Sequence, residues 1–116
     1  MATIYNTIEK TAGVPKSGVV VKVELIWDTS VSPVAYADEV MINGAYGTTT
    51  DQDGYWEITT IVENDTITPT DSLYKITEET LSDDDVIYYI SVPTAATPTY
   101  WVGDLLISPE DLPSWL

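Results

Sequence analysis

Residues Thr48–Ile58 read TTTDQDGYWEI. Asp53-Gly54 is a turn pair, because glycine reaches the positive φ of a tight hairpin turn without steric cost. In the extended chain that follows, Trp56 and Ile58 share one face, while Tyr55 and Glu57 share the other. The stretch therefore predicts a hairpin with Gly54 at its turn and Trp56 directed into a core. The rest of the chain reads as strands laid beside it.

Upstream, Gly18–Asp28 (GVVVKVELIWD) places Val19, Val21, Val23, Leu25 and Trp27 on one face, with Lys22, Glu24 and Asp28 on the other. A period of two built from β-branched residues is the pattern of a half-buried strand. Residues 2–9 (ATIYNTIE) read as a short edge strand or an extended arm, followed by a turn or linker over Thr11–Ser17. Val34–Ile42 has mixed spacing; a bulged strand is favoured over a helical turn because Asn43-Gly44 follows as a hairpin signal. Ala45–Thr50 then returns toward the organising hairpin.

Downstream, Tyr55–Val62 is a strand closed by Glu63-Asn64-Asp65, and Thr66–Ser72 is a loop of the kind that crosses between sheets. Leu73–Glu79 puts Tyr74 and Ile76 on one face. Val86–Val92 (VIYYISV) is apolar on both faces and predicts a central strand. Tyr100–Ile107 predicts a last strand, with Gly103 as a bulge or point of close approach. Ser108 and Pro109 could cap and start one helical turn. Six to eight short strands without a long helix predict an all-β, antiparallel β-sandwich in a single domain, of Ig-like or prealbumin-like type. The division is an N-terminal arm at 1–16, the sandwich at 17–107 and a C-terminal tail at 108–116.

Composition narrows the function classes. The chain has 116 residues, with 4 lysines and no arginine against 19 acidic residues, for a net charge of −15. Phosphate backbones would repel such a polyanion, so no nucleic-acid partner is expected. Residues 1–32 sum to zero charge and residues 33–116 carry the entire −15. Cysteine and histidine are both absent, which removes thiolate chemistry and the commonest general base. No apolar run approaches the roughly 18–20 residues that span a bilayer. The start lacks the basic and apolar regions of a signal peptide. A chain made in a cytoplasm, with no membrane partner, is expected.

Candidate sites are few. Asp51 and Asp53, two apart and followed by Gly54, invite a calcium reading, but the EF-hand spacing fails and a turn explains them. Asp83 and Asp85, flanking Asp84, could hold a hard cation or simply form a solvated turn. A pair of carboxylates could cleave glycosides, yet nothing selects a pair among so many. Serine hydrolysis lacks both its histidine and a GxSxG elbow. The expectation is no enzyme and no cofactor. Four Trp and eight Tyr with no Phe is an interface-like aromatic balance. Trp27 and Trp56 read as core, Trp101 as either, and Trp115 as an interface candidate or a residue folded back on the sandwich.

The run Thr50-Asp51-Gln52-Asp53-Gly54-Tyr55-Trp56 resembles the T-D-x-x-G-x-aromatic hairpin of prealbumin-like and carboxypeptidase-regulatory-like sandwiches. The wider order is similar to a module of tailed-bacteriophage virion proteins, notably near the starts of tail fibres. It runs GVVVKVEL, TTTDQDGYWEI, ENDTITPTDSLYKITEE, YYISVP and DLLI, and covers about residues 17–107. The resemblance implies a virion structural protein. A fibre would continue far beyond Leu116, so a small decoration or accessory protein on the capsid is expected, with a tail-fibre, baseplate or adaptor module as the alternative. A carbohydrate-binding or carbohydrate-active domain is the second alternative. Partners would be the major capsid protein or tail components, together with further copies in a homo-oligomer such as a trimer. Acidic surfaces repel, so contact is expected through weakly charged segments: residues 1–17 with Ile4, Tyr5 and Ile8, and the tail with Trp115 and Leu116. The arm would add a strand to a partner's sheet.

Overall fold

The computed structural model describes residues 1–11, 13–28, 30, 35–36, 39–40, 45–68, 71–79 and 85–116. Its strands are β1 (Ala2–Thr7), β2 (Glu9–Thr11), β3 (Val14–Pro15), β4 (Val20–Ile26), β5 (Ala35–Tyr36), β6 (Glu39–Val40), β7 (Ala45–Thr49), β8 (Tyr55–Ile61), β9 (Ile67–Thr68), β10 (Leu73–Glu79), β11 (Val86–Ile90) and β12 (Thr99–Trp101). Among the described residues the only helical pieces are 3₁₀ turns at Asn64–Thr66, Val102–Leu105 and Pro109–Asp111.

Two sheets make the body, one ordered β12-β1-β8 and the other β11-β10-β4-β7. Two small ribbons, β2-β3 and β6-β5-β9, accompany them. Among the described residues all pairings are antiparallel except that of β1 with β12, in register Thr3↔Thr99 to Tyr5↔Trp101. The core forms where the sheets face each other. Ile4, Trp56, Ile58 and Ile61 meet Val21, Val23, Leu25, Tyr74, Ile76 and Ile90 in one apolar cluster. Burying each such side chain contributes about 1.5–3 kcal/mol, so the alternation in β4 and β8 is what commits the chain to an all-β sandwich.

The period-two readings hold for β4, where Val21, Val23 and Leu25 are buried between exposed Val20, Lys22 and Glu24. They hold for β8 also, where Trp56 and Ile58 are buried and Glu57 is exposed. Trp27 is partly buried against the core.

Four expectations are corrected. Residues 2–7 are not an arm: β1 is the middle strand of its sheet, and Ala2 and Ile4 are fully buried. β11 is an edge strand, because β10 takes the interior place beside β4, and Val86 and Ile87 stay about half exposed. The last strand ends at Trp101 and turns into a 3₁₀ segment, with only an isolated bridge from Leu106 to Ile90. Within 34–42, Ala35–Tyr36 pairs with Glu39–Val40, a small ribbon in place of one strand, while Asn43-Gly44 lies outside the described residues.

Buried polar groups tie loops to strands. Thr50 accepts from the Val19 N–H at 2.9 Å and donates to the Lys16 carbonyl at 2.8 Å. Asn64, almost fully buried, accepts from the Val92 N–H at 2.7 Å and donates to Ser72 Oγ at 3.1 Å. At the surface, Thr94 donates its N–H and its hydroxyl to the two carboxylate oxygens of Asp65, at 2.8 and 2.7 Å. Those two bonds hold the Asp65 carboxyl below its ordinary value, the backbone N–H contributing most. A folded-state value below the unfolded one stabilises the fold above about pH 4, and that contribution is lost as pH falls through the lowered value. The difference in Tm between the wild type and Asp65→Ala should therefore be clear at neutral pH and close by about pH 2. A gap that is unchanged in acid would show that the two bonds contribute nothing.

Candidate functional site

The hairpin at Asp51–Gly54 is built by its own carboxylate. Asp51 Oδ1 accepts from the N–H groups of Asp53 and Tyr55 at 2.8 and 3.1 Å, and the Asp51 carbonyl accepts from the Gly54 N–H at 3.0 Å. Asp51 is thus occupied as a turn residue, and Asp53 is exposed beside it. Among the described residues no cluster of acidic side chains could hold a metal ion. Asp85 is exposed, and Asp83 lies outside the described residues. Gly54 has φ +75° and is closed in by backbone: its carbonyl accepts from the Ile8 N–H, and the Ile8 carbonyl accepts from the Lys16 N–H.

The residues expected at an interface scatter. Ile4 is core, Ile8 packs partly against it, and Tyr5 lies against Tyr55 with ring centroids 6.0 Å apart. Trp115 folds back, donating its indole N–H to Asp71 at 3.1 Å, and leaves Leu116 about half exposed.

A different group of residues converges at one end of the sandwich. The inward phase of β10 runs Tyr74, Ile76, Glu78, so the register that buries two apolar side chains also buries a carboxylate, only 5% exposed. Glu78 Oε2 accepts from the Trp56 indole N–H at 2.8 Å and from Asn6 Nδ2 at 3.0 Å. Asn6 Oδ1 in turn accepts from the Trp101 indole N–H at 3.0 Å. The chain Trp101–Asn6–Glu78–Trp56 therefore links both sheets through side chains. Both donors to Glu78 are neutral, and among the described residues no ammonium group forms an ion pair with it. Tyr88, paired with Ile76 across β10 and β11, brings its buried hydroxyl close to Glu78 and Asn6, but among the described residues none meets it at hydrogen-bond geometry. Burial first, and Glu78 second, push the Tyr88 phenol well above its ordinary value.

Beside this network is a cavity of about 200 Å³, lined by Asn6, Tyr88, Trp101, Val102, Gly103 and Leu106. Trp101 is 48% exposed on its rim. A side chain at Gly103 would put its Cβ 2.3–2.5 Å from three consecutive atoms of the Trp101 six-membered ring. Such near-equal distances place that Cβ over the ring's face, so glycine is required for the indole to lie down on the 3₁₀ segment. The indole is thereby fixed twice, by its N–H on Asn6 and by one face on Gly103.

Of this group the sequence marks Trp56 as core by its alternation, while Trp101 reads equally as core or surface. Glu78 could have been found from its phase with Tyr74 and Ile76. Asn6, Tyr88 and the coupling between the sheets carry no local signal. The wild-type bond from Trp56 to a buried carboxylate implies that Trp56→Phe, which keeps a ring and loses the donor, should cost about 2 kcal/mol in urea unfolding. A cost near zero would mean that Glu78 finds a replacement donor.

No protein-family model matches the chain, and no characterised protein matches it.

Proposed function

We propose that this chain is a non-enzymatic structural protein of a tailed-bacteriophage virion, a small decoration or accessory protein on the capsid surface. What supports the reading is the resemblance over residues 17–107 together with one feature of the sandwich, the open edge of β11. Tyr89 accepts there from the Ile107 N–H and Ser91 donates to Leu105. Backbone direction alternates along a strand, so the amide groups of Ile87 point to the same side, where no partner strand lies among the described residues. Val86 and Ile87 are half exposed on that stretch. An apolar edge with free amides is where a partner strand can add. The partner would be the major capsid protein or a tail component, with further copies of the chain completing a homo-oligomer such as a trimer. The protein would reside in the virion after assembly in the host cytoplasm.

The second reading, a tail-fibre, baseplate or adaptor module, follows from the same resemblance, which is to the starts of tail fibres. Fractionating purified particles into heads and tails separates the two: the chain should follow the heads. Ile87→Lys should leave the fold intact and abolish incorporation, because a lysine on an edge strand blocks strand addition. Recovery with neither fraction, or normal incorporation of Ile87→Lys, would overturn the reading or the docking edge respectively.

A further inference from the structure

We propose that the cavity beside Trp101 binds a soft organic cation of the quaternary-ammonium class. The inference stands apart from the virion reading and rests on three observations.

First, Glu78 is a carboxylate buried within the sandwich and, among the described residues, hydrogen-bonded by the neutral donors Trp56 and Asn6, the second of which forms part of the cavity wall. A buried charge without a counter-charge is costly, and a cation one hydrogen bond away would offset it. Second, the cavity is walled by Tyr88 and Trp101, whose ring faces attract cations. Gly103 covers one face of the indole and its N–H is tied to Asn6, so the ring is held in place while nearly half of it stays open to a ligand. Third, the remaining lining is Val102, Gly103 and Leu106, and both ends of the Asn6 amide are already engaged. A sugar would find too few partners for its hydroxyls there, and an anion would find no counter-charge among the lining residues. A cation with a methylated head loses little hydration on entering such a site and needs few hydrogen bonds. The net charge of −15 raises the local concentration of cations around the whole molecule.

The test uses the intact protein with choline and with its uncharged carbon analogue, in which a quaternary carbon replaces the nitrogen. The indole N–H resonance of Trp101, assigned by its loss in Trp101→Leu, reports occupancy. Choline should shift that resonance saturably, and the carbon analogue should bind about tenfold more weakly or worse. Glu78→Gln should weaken choline binding and leave the analogue unchanged. If Glu78→Gln fails to fold, the comparison of the two ligands on unaltered protein still decides. Equal affinity for the two would overturn the charge argument, and absence of a saturable shift at Trp101 would overturn the site.

Discussion

Gly54→Val should destabilise the sandwich by about 4 kcal/mol, combining backbone strain with an overpacked contact. Two costs coincide at this residue. Its φ of +75° is one that a β-branched side chain adopts only under strain. A Cβ there would also lie 2.2 Å from the Ile8 carbonyl oxygen and 3.1 Å from the Lys16 nitrogen. Both obstacles are backbone, so neither can rotate aside as a side-chain end would. Relief would require moving the end of β1, breaking the 2.8 Å bond from the Ile8 N–H to the Gly54 carbonyl and the 2.9 Å bond from Lys16 to Ile8. Gly13 supplies the control. It has φ +80° but nothing within 4 Å of its would-be Cβ, so Gly13→Val carries the strain alone, about 1–3 kcal/mol. Equal losses for the two variants in denaturant unfolding would show that the crossing at Ile8 is unimportant.

Deleting residues 1–9 should leave the chain unable to fold. β1 pairs with β8 on one side and β12 on the other, so its removal splits a three-stranded sheet into two unpaired pieces. It also takes Ala2 and Ile4 out of the core and Asn6 away from Glu78. The whole stability of a domain is only about 5–15 kcal/mol, and losing a central strand consumes a margin of that size. Far-UV circular dichroism and amide dispersion in NMR spectra should report a disordered chain. A cooperative melt near the wild-type temperature would mean that β8 and β12 can close on each other directly. The expectation of a detachable arm, with Ile4, Tyr5 and Ile8 free for a partner, is replaced by this one.

What the sequence made legible is local. Val21, Val23 and Leu25 declare their burial by alternation, Trp56 and Ile58 do the same, and Asp53-Gly54 announces its turn by residue type. β1 was misplaced because Thr3, Asn6 and Thr7 dilute its pattern, and because the strands that make it central lie far along the chain. β11 misled in the opposite direction. Its apolar residues on both faces suggest an interior strand, whereas Ile87 and Val86 remain at an open edge. The candidate site was harder still. Glu78 obeys the phase of Tyr74 and Ile76, but a period cannot say that an indole from β8 and an amide from β1 will meet it. Trp101 was undecided because its position depends on Gly103, two residues on, being small enough to lie beneath it.

The parallel pairing of β1 with β12 also bears on the order in which the protein can form. Thr3 is matched with Thr99, so β1 needs a strand more than ninety residues further along before its sheet is complete. Contacts so distant in sequence require the closure of a long loop and slow the search for the native state. β8 can cover one edge of β1 early, but the other edge stays open until β12 arrives. The second sheet, from β4 to β11, can assemble first, and the first sheet closes over it late. Folding should therefore be slow, with a late step that seats β1 between β8 and β12 and so completes the first sheet.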